Sequence, residues 1–414
     1  MFEKSALGSL VERQQGGGTP ERNNPRFWNG SIPWASVKDF ADDQLVLLST
    51  EDSITQQGLT ASSTNLIPAG TPLVCTRMAV GRCAISNSDV SINQDVKALF
   101  PKANVSPRYL LRVLDSLKFH AESVSVGSTV KGIRISDLLG IQAPIAPPHE
   151  QPRIAQILDT LDTQIQKTEA LIAKLEKIKE GLLHDLLTRG IDQKGQLRPT
   201  PEQAPALYKE SALALIPEHW RSLKLDDLAE FFNGNSFKAE GWAQSGYPII
   251  RIQNLNGDQV FNYYRGPVRS QWHVMPNDLL FAWSGQRGVS FGARIWGGPE
   301  GVLNQHIFKV VPKEAISKYF LYLTLRHRQK AIENSAHGFK DSFLHVTRGE
   351  LTQTLAAVPP HDEQRRIVDV ITRLEKRLDS ETKAKKTLAS LKTGLMDDLL
   401  TGHVRVTPLL KDAV

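Results

Sequence analysis

The stretch PPHEQPRI at residues 147–154 occurs a second time, with one inserted residue, as PPHDEQRRI at residues 359–367. Each copy begins a long amphipathic segment, and the two segments end almost identically, in GLLHDLLT (181–188) and GLMDDLLT (394–401). From Arg153 onward, 11 of 36 residues are identical to those found 213 positions later, without a gap. This constant offset indicates that the chain arose by tandem duplication.

Weaker similarities extend the duplication to the segments before the two helices. NQD at 93–95 matches NQH at 304–306, and PRYL at 107–110 matches SKYF at 317–320. The repeated unit is therefore about 210 residues long, far longer than the roughly 20 to 50 residues of a solenoid repeat. We predict two similar halves, each a globular segment followed by one long helix, in a molecule with pseudo-twofold symmetry.

The globular segments consist of short apolar runs separated by turn residues, for example at 16–20 and 68–72. This pattern favours mainly antiparallel sheet with some helices. The predicted fold class is α+β, with two globular domains joined by two long helices that form an antiparallel coiled coil. The predicted parts are a first globular domain at 1–146, a first long helix at 147–190, a linker at 191–214, a second globular domain at 215–358 and a second long helix at 359–403.

The composition is typical of a globular protein, with 40% hydrophobic and 23% charged residues in a chain of 414. There is no run of 18 apolar residues and no signal-peptide pattern, so we expect a cytoplasmic protein without a membrane partner. The formal net charge of +6 favours a polyanionic partner. Cys75 and Cys83 have no CxxC spacing or histidine companions, and are expected to be buried, reduced thiols.

The two long segments carry apolar residues with the 3-4 spacing of a coiled-coil seam. In the second segment the seam is interrupted, because Glu381 and Lys385 occupy the positions of Thr168 and Ile172. Each helix would be roughly 55 Å long at about 1.5 Å per residue, and the two are expected to pair as a rigid spacer. The predicted seam consists of Leu158, Leu161, Ile165, Ile172, Leu175, Leu182, Leu186, Ile371, Leu374, Leu378, Leu388, Leu395 and Leu399.

The two prolines before each long segment cannot continue a helix, but they suit an extended backbone that leads into one. His149 and Asp362 follow them, and we expect their side chains to accept hydrogen bonds from the free N–H groups of the first turn. The pattern is therefore interpreted as a helix-start signature and not as a catalytic histidine.

Motifs of the common nucleotide-dependent and hydrolytic enzymes are missing from the sequence. There is no GxxxxGK[ST] loop, HExxH helix, Cys/His zinc pattern or GxSxG elbow. NPRF at 24–27 approaches the Asn-Pro-Pro-aromatic element of adenine methyltransferases, but it lacks the second proline. We therefore predict a chain without catalytic residues and without a metal site.

Several of these features together resemble the specificity subunit of type I restriction-modification enzymes. They are the twin Pro-Pro-His helix starts, the twin helix endings, the run from Gly17 to Trp34 with its Gly-Gly-Thr-Pro and Ile-Pro-Trp elements, and IPEHW at 216–220. These features span nearly the whole chain, and their combination is specific.

The resemblance implies two target-recognition domains, each of which reads one half of a split double-stranded DNA sequence, and two antiparallel helices that act as a ruler. It also implies that methyltransferase subunits dock near the helices and that a motor-nuclease subunit completes the restriction complex. The chemistry would then lie in these partners, which use S-adenosylmethionine, ATP and magnesium, and this chain would hold no cofactor.

The first half departs from the family pattern at its start. In the second half IPEHW precedes LDDL at 225–228, whereas the first half begins at Met1 with only LGSL at 7–10 as the matching part. Either the start of the first half is assigned late, or its globular domain lacks the opening segment.

Within this resemblance, Lys and Arg are expected to contact phosphates, while Arg, Asn, Gln and Ser on loops are expected to read bases. For each candidate the alternative is a solvated charge or a turn-stabilising amide. Trp283 is either a DNA wedge or a core tryptophan, and the lysine-rich 383–386 is interpreted as a solvated helix face. The candidates are Arg77, Arg82, Lys131 and Arg134 in the first domain, and Arg251, Gln253, Asn254, Gln286, Arg287 and Lys340 in the second.

Two other classes of function remain open from the sequence. The chain could be a coiled-coil scaffold that binds no DNA, or a nuclease with an unrecognised site. A salt-dependent shift of duplex DNA by the assembled protein would exclude the scaffold. Metal-dependent cleavage by the isolated chain would support the nuclease.

Overall fold

The computed structural model describes residues 1–42, 44–127, 130–335 and 343–411. Packing divides the chain into two compact units. The first comprises Met1–Ala170 and the residues from Thr382 onward, and the second comprises Leu171–Glu381. Each unit therefore contains one globular domain and one section of each long helix.

The first globular domain is built from short strands and short helices. Its described strands are β1 (Lys4–Ala6), β2 (Val11–Gly16), β3 (Trp28–Ala35), β4 (Val46–Leu47), β5 (Asp52–Ile54), β6 (Leu66–Ile67), β7 (Pro72–Cys75), β8 (Cys83–Ser86), β9 (Val90–Ile92), β10 (Val96–Pro101) and β11 (Gln142–Pro144). Its helices are α1 (Gln56–Thr60), α2 (Pro107–Ser116), α3 (Lys118–Ser123) and α4 (Ile135–Gly140), with 3-10 turns at Leu7–Leu10, Pro25–Phe27 and Val37–Asp39. The sheets have the strand orders β2-β10-β7-β8-β4, β5-β3-β9-β6 and β1-β11.

Strands β7 and β8 form the centre of the first domain, since every residue in both is buried. They lie next to each other in the five-stranded sheet, and α2 covers them with Tyr109, Leu110 and Val113. Cys75 and Cys83 are free, buried residues of these strands, and burial raises the pKa of both thiols. A thiol kept protonated by burial behaves as a small apolar side chain.

The long helix α5 (Gln151–Thr188) leads into the second globular domain. The described strands there are β12 (Tyr208–Ser211), β13 (Ala214–Pro217), β14 (Arg221–Lys224), β15 (Ala229–Asn233), β16 (Tyr247–Ile250), β17 (Tyr263–Tyr264), β18 (His273–Val274), β19 (Leu279–Ala282), β20 (Ser284–Gln286), β21 (Gly292–Ile295), β22 (Gly301–Leu303), β23 (Ile307–Pro312), β24 (Phe343–His345) and β25 (Leu355–Val358). The helices are α6 (Leu225–Leu228), α7 (Ile252–Leu255), α8 (Lys318–His327), α9 (Gln329–Ser335) and α10 (Arg348–Gln353), with 3-10 turns at Pro205–Leu207 and Ala239–Gly241.

The two globular domains share one topology. The strands β2-β10-β7-β8 of the first domain correspond to β15-β23-β19-β21 of the second, and β5-β3-β9-β6 correspond to β17-β16-β22-β18. The pair β1-β11 likewise corresponds to β14-β25. Most pairings are antiparallel, and the parallel pairs β3-β9 and β16-β22 occur at equivalent places. The predicted α+β class and the internal repeat are confirmed.

Hydrogen bonds correct one detail of the alignment between the two copies. Ser106 and Ser317 are the N-cap residues of α2 and α8, and each donates its backbone N–H, at 3.0 Å, to a glutamine at the start of a long helix. Arg108 therefore corresponds to Tyr319, whereas the sequence comparison placed Tyr109 opposite Tyr319. The sequence comparison had aligned the tyrosines of PRYL (107–110) and SKYF (317–320), which shifted the alignment by one residue.

In the first unit, α5 runs antiparallel to the second long helix, α11 (His361–Thr401). Asp162 pairs with Lys392 at 2.6 Å, and Glu169 pairs with Lys385 at 2.8 Å. The residue number rises by seven along α5 while it falls by seven along α11, as it does in antiparallel helices. Lys385 is one of the two residues that interrupt the predicted seam. Its cross-helix partner Glu169 explains why the chain tolerates a charge there. A short helix, α12 (Thr407–Lys411), follows α11.

In the second unit, the remaining sections of α5 and α11 are also antiparallel, with Lys179 and Glu375 paired at 2.5 Å. This ion pair is the counterpart, 213 residues away, of the pair between Lys392 and Asp162. Across both units the predicted seam side chains lie inward to different degrees. Those that are fully buried are Leu158, Leu161, Leu186, Ile371 and Leu399, and those that are half-buried are Ile165, Ile172, Leu175, Leu182, Leu374, Leu378, Leu388 and Leu395.

The prediction for the helix starts named the wrong acceptors. The side chain of His149 is 62% exposed, and Asp362 is an exposed residue that pairs with Arg365 at 2.5 Å. The buried acceptors are the following residues, Glu150 and Glu363. The sequence pattern contains both kinds of residue and does not reveal which of them turns inward.

Each buried glutamate joins the start of one long helix to the segment that follows the other. In the first unit Glu150 accepts hydrogen bonds from Arg405 Nε at 3.0 Å, the N–H of Val406 at 3.2 Å and Thr407 Oγ1 at 3.1 Å. In the second unit Glu363 takes the equivalent position. It accepts hydrogen bonds from Arg198 Nη2 at 2.9 Å, the N–H of Ile191 at 2.9 Å and Trp220 Nε1 at 3.1 Å. We call these two arrangements the glutamate clasps.

Among the residues that the structure describes, no helix is both long and apolar enough to cross a membrane.

Candidate nucleic-acid interface

Three of the predicted cations of the first domain lie next to one another where β7 ends. Arg77 forms an antiparallel bridge with Gly132, and the N–H of Met78 donates to the carbonyl of Lys131 at 2.9 Å. Arg134, two residues after Gly132, is the N-cap residue of α4. The side chains of Arg77 and Lys131 are each 57% exposed. The fold therefore gathers cations from two distant segments into one exposed basic cluster.

The ion pairs within this cluster are long. Arg77 Nη1 lies 3.4 Å from Asp95 Oδ1, and Lys131 Nζ lies 3.7 Å from Glu122 Oε1. The pair of Lys131 and Glu122 is exposed on both sides, and such pairs contribute only about 0–1 kcal/mol to stability. Phosphate oxygens can therefore replace or share Glu122 as the partner of Lys131, whereas Arg77 pairs with a carboxylate that is buried.

Arg82, the fourth candidate of the first domain, is engaged within the protein. Its guanidinium donates to both carboxylate oxygens of Asp42, at 3.1 and 2.6 Å, and to the carbonyl of Phe40 at 3.0 Å. Lys118 also bonds to Asp42, and the bonds from Lys118 and Arg82 lower the pKa of that carboxyl group. Arg82 thus links a loop to the central sheet and has few donors left for DNA.

The equivalent strand end of the second domain carries Gln286 and Arg287. Gln286 is the last residue of β20, which pairs with β24, and its side chain is exposed. Arg287 is 47% exposed and lies 3.6 Å from Glu333, a loose ion pair like that of Arg77. Both residues lie on the glycine-rich turn that follows β20, where a nucleic acid has access to them.

A second group of candidates lies on the loop that contains α7. Asn254 is buried, and its amide donates to the carbonyls of Asp258 and Val260 while its Oδ1 accepts the N–H of Arg251. It therefore shapes the loop and does not face solvent. The guanidinium of Arg251 stacks over Trp242 at 4.4 Å, and Gln253 is exposed. Lys340, the remaining candidate, lies outside the described residues.

The strand ends also bring Trp283, which the sequence left open as a DNA wedge or a core tryptophan, together with two histidines that were not candidates. In the second domain the ring of Trp283 lies 5.3 Å from that of His306 and 4.7 Å from that of His345, measured between centroids. In the first domain Asp95 takes the place of His306. The sequence contained one signal for this place. The Asn-Gln pair is repeated at 93–94 and 304–305, and the residue that follows it is Asp95 in the first copy and His306 in the second.

One group of possible metal ligands occurs among the described residues. Asp397, Asp398 and His403, near the end of α11, each place a ligand atom within 4.8 Å of the others. Asp397 and His403 are exposed, and exposed acidic groups of this kind are common without an ion. The group therefore carries no assignment.

The arrangement of each domain suits contact with a polyanion. Exposed cations and amides border a strand end, while the sheets behind them are buried and rigid. Such a surface can position a phosphate backbone through its cations and present neutral side chains to base edges.

Comparison with known proteins identifies a family that has the same repeat. The family model described as the type I restriction modification DNA specificity domain matches residues 1–177 and again residues 217–390. Each match covers one globular domain and most of the long helix that follows it.

Two curated relatives and one solved structure agree with this match. The type I restriction enzyme MjaIX specificity subunit of Methanocaldococcus jannaschii is 24% identical over 407 residues, which cover 95% of this chain and 91% of that protein. The EcoR124I/EcoR124II specificity subunit of Escherichia coli is 35% identical over 182 residues, or 42% of this chain and 44% of that protein. The S subunit of a type I restriction-modification system from M. genitalium superposes with a TM-score of 0.59 at 17% identity, covering 97% of this chain and 96% of that one.

Proposed function

The chain belongs to the type I restriction modification DNA specificity family, and we propose that it is the sequence-specific DNA-recognition subunit of a type I restriction-modification complex. Each globular domain reads one half of a bipartite target. The observation that carries this proposal is the twofold match of the family model, once over each globular domain. Two domains of one topology with different loops are what a target with two different halves requires.

The basic strand ends support contact with double-stranded DNA. Arg77, Lys131 and Arg134 border the strand end of the first domain, and Arg287 borders that of the second. Cations that neutralise phosphates release counterions, so binding through them weakens steeply as salt rises. This dependence distinguishes a DNA-recognition subunit from a coiled-coil scaffold.

In this proposal the chemistry belongs to partner subunits. Methyltransferase subunits supply S-adenosylmethionine-dependent modification, and motor-nuclease subunits supply ATP- and magnesium-dependent restriction. The sequence of this chain offers neither a phosphate-binding loop nor a zinc or metalloprotease motif. Its part is to recognise the target and to hold the partners, without a cofactor of its own.

Two glycines support a docking face for methyltransferase subunits on the long helices. Gly181 of α5 and Gly394 of α11 occupy the same position in the two copies, and both are exposed within a helix. A methyl group at either position would meet no described residue within 4 Å. Glycine inside a helix is destabilising by roughly 0.5–1 kcal/mol relative to alanine, and no neighbour in the described part of the chain is close enough to require it. Close packing of a partner's backbone against the helix would explain why glycine is retained. Because the glycine occurs in both copies, we infer that two copies of one partner bind.

A groove in the first unit adjoins this helix face. It has a volume of about 820 Å³ and is bordered by Phe119, which is 76% exposed, and by Lys392 and Met396 of α11. An exposed aromatic residue beside an apolar groove is typical of a protein-binding surface. The groove therefore supports the same docking face as Gly394.

A domain exchange tests the proposed function. Residues 1–146 are replaced by the corresponding domain of a relative, and the exchanged subunit is expressed in a host together with its methyltransferase. Sequencing of methylated adenines is expected to show a change in one half of the target and an unchanged second half. The reciprocal exchange of residues 215–358 is the matched control and should change only the other half. A change in both halves, or in neither, would contradict the assignment of one domain to each half-site.

A further inference from the structure

Each domain has four residues at the end of its central strand that occupy the same backbone positions and differ in chemistry. We propose that these strand-end sites determine the base sequence that each domain reads, a proposal that rests on the proposed function. The first strand-end site consists of Thr76, Arg77, Asp95 and Gly132, and the second consists of Trp283, Ser284, His306 and His345.

Backbone hydrogen bonds define the first strand-end site. The N–H of Thr76 donates to the carbonyl of Asp95 at 2.8 Å, and the carbonyl of Thr76 accepts the N–H of Ile133 at 2.9 Å. The next residue, Arg77, forms an antiparallel bridge with Gly132. Three separate segments therefore meet at the point where β7 ends.

The second strand-end site has the same backbone connections. The N–H of Trp283 donates to the carbonyl of His306 at 3.3 Å, and the carbonyl of Trp283 accepts the N–H of Val346 at 2.9 Å. Ser284 is paired with His345 in the antiparallel ladder of β20 and β24. Each residue of the second site thus has a counterpart in the first, fixed by backbone contacts and not by sequence similarity.

The strands that lead into the two sites keep their chemical character. Val74 and Cys75 of β7 are apolar and buried, and so are Phe281 and Ala282 of β19. The chemistry differs beyond the strands, where Arg77 and His345 are exposed while Thr76, Asp95 and Ser284 are buried. A constant frame with variable side chains at its exposed end is what two domains need to read two different half-sites.

The second site presents hydrogen-bond donors without partners. Trp283 Nε1 and His306 Nδ1 are buried atoms that have no hydrogen-bond partner among the described residues. The amide nitrogen of Gln305 lies 3.3 Å from His306 Nε2. With the Gln305 amide in this orientation, its nitrogen donates to Nε2, and the proton of the neutral ring is on Nδ1. The site therefore offers two N–H groups that need acceptors, which base edges supply as purine N7, guanine O6 or thymine O4.

The first site has the opposite character. Asp95 is 7% exposed, and its Oδ1 accepts no hydrogen bond from the residues that the structure describes, although Arg77 Nη1 lies 3.4 Å away. A buried carboxylate oxygen without a donor is costly unless a ligand supplies one. The amino groups of cytosine and adenine are such donors, and the neighbouring guanidinium suits guanine O6 and N7. The two sites are therefore complementary to different base edges.

The test uses the complete methyltransferase complex and two variants that keep the fold. Trp283→Phe removes the indole N–H but retains an aromatic ring against Phe308, whose centroid is 5.8 Å away. Arg77→Gln removes the guanidinium of an exposed side chain. The matched controls are Trp296→Phe, at a tryptophan whose indole N–H bonds within the protein to the carbonyl of Pro299 at 2.7 Å, and Arg22→Gln, at an exposed arginine that pairs with Asp52 at 2.9 Å.

Sequencing of methylated adenines gives the recognised motif of each complex. We expect each strand-end variant to lose about tenfold or more of its discrimination at one or more positions of one half-site. The other half-site should stay unchanged, and the two variants should affect opposite halves. Controls should keep the wild-type motif. Unchanged discrimination in both strand-end variants overturns the inference.

An assembled variant that no longer methylates is tested by binding instead. Duplexes with one half-site randomised are compared with the intact target. Discrimination lost in the half-site of the altered domain supports the inference, and discrimination retained there overturns it. A wild-type complex that shows no bipartite motif would defeat the proposed function itself, so the two failures are distinguishable.

Discussion

At the scale of single residues, the glutamate clasps show how a buried charge is made tolerable. Glu150 has no exposed side-chain surface, and Glu363 has 4%. A buried carboxylate destabilises a fold unless its oxygens accept strong hydrogen bonds. Each clasp provides an arginine and a backbone N–H from the segment that follows the opposite helix. The clasps therefore fix each helix start within its own unit.

Removing the charge of Glu150 should change the pH dependence of stability. The hydrogen bond from Arg405 lowers the pKa of Glu150 below its ordinary value of 4.5. The stability from this ionised group is thus fully present above pH 4.5 and is lost as the pH falls through the folded-state pKa. We expect Glu150→Gln to lower the free energy of unfolding by about 2–4 kcal/mol at pH 7 and by less in acid.

Urea unfolding of the Glu150→Gln variant at several pH values measures this effect. Asp362→Asn is the matched control, because Asp362 follows the equivalent pair of prolines but is exposed. The control should unfold like the wild type at pH 7. An equal pH dependence in Glu150→Gln and the wild type would show that the clasp does not act through its charge.

A buried arginine gives a second prediction at this scale. Arg112 is 2% exposed and pairs with Asp159 at 2.5 Å and Asp162 at 2.6 Å. At the equivalent positions the second half has Leu323 and, in place of Asp159, Thr372. We expect Arg112→Leu to lower the free energy of unfolding by about 1.5–3 kcal/mol, because it removes the shared cation of two half-buried carboxylates, which keep only Arg108 and Lys392 as partners.

The double variant Arg112→Leu with Asp159→Thr introduces the residue types that the second half has at these positions, Leu323 and Thr372. It should recover part of the stability that the single variant loses, because the second substitution removes a carboxylate that has lost one of its two cations. A double-mutant cycle of urea unfolding, completed by Asp159→Thr, measures the coupling. Additive losses in the double variant would mean that the three side chains are not coupled.

At the scale of elements, the long helices carry features with different purposes. Apolar seam residues and cross-helix ion pairs hold the helices together within each unit. Gly181 and Gly394, in contrast, weaken the helices, although an added methyl group at either position would meet none of the described residues within 4 Å. Because both long helices retain a destabilising glycine at the equivalent position, we infer that binding of a partner requires the glycine.

Replacing the two glycines should separate stability from assembly. Gly181→Ala with Gly394→Ala is expected to stabilise the isolated chain by about 1–2 kcal/mol in total, because helical glycine is unfavourable. The same variant should bind methyltransferase subunits less tightly, since the added methyl groups block close approach. Thermal unfolding and analytical ultracentrifugation measure the two effects.

Gly140→Ala is the matched control for the glycine variant. Gly140 ends the short helix α4, and a methyl group there would also meet nothing within 4 Å. It should not affect assembly. If the double glycine variant assembled as tightly as the wild type, the proposed docking face would be wrong.

At the scale of the whole molecule, we propose that the paired helices set the distance between the two half-sites. A four-residue insertion after Lys174 lengthens α5 by roughly 6 Å at about 1.5 Å per residue. The pairing of Lys179 with Glu375 places the matching insertion of α11 after Asp379. Since B-DNA rises about 3.4 Å per base pair, the unread gap should grow by about one to two pairs with both half-sequences unchanged.

The length of the insertion provides its own control. Four residues nearly preserve the 3.6-residue phase of the seam, whereas two residues rotate the apolar stripe away from the partner helix. The two-residue variant should therefore unfold more easily and lose activity. The methylated motif of the four-residue variant is read by sequencing, and an active variant with unchanged spacing would show that another element measures the distance.

The sequence by itself determined the features that repeat or that have a regular period. The offset of 213 residues revealed the duplication, and the spacing of Leu158, Leu161 and Ile165 predicted the first long helix. Turn residues between short apolar runs predicted the α+β class. These properties could be predicted because backbone periodicity and internal similarity are local, and they are visible without knowing what packs against what.

Only the tertiary structure decided which of the chemically similar residues turn inward. It buried Glu150 and not His149, used Arg82 and Asn254 inside the protein, and left Arg77 exposed. It also assembled each strand-end site from segments that are far apart in the sequence. The physical reason is that burial and hydrogen-bond partners depend on long-range packing, which the chemistry of a single residue does not specify.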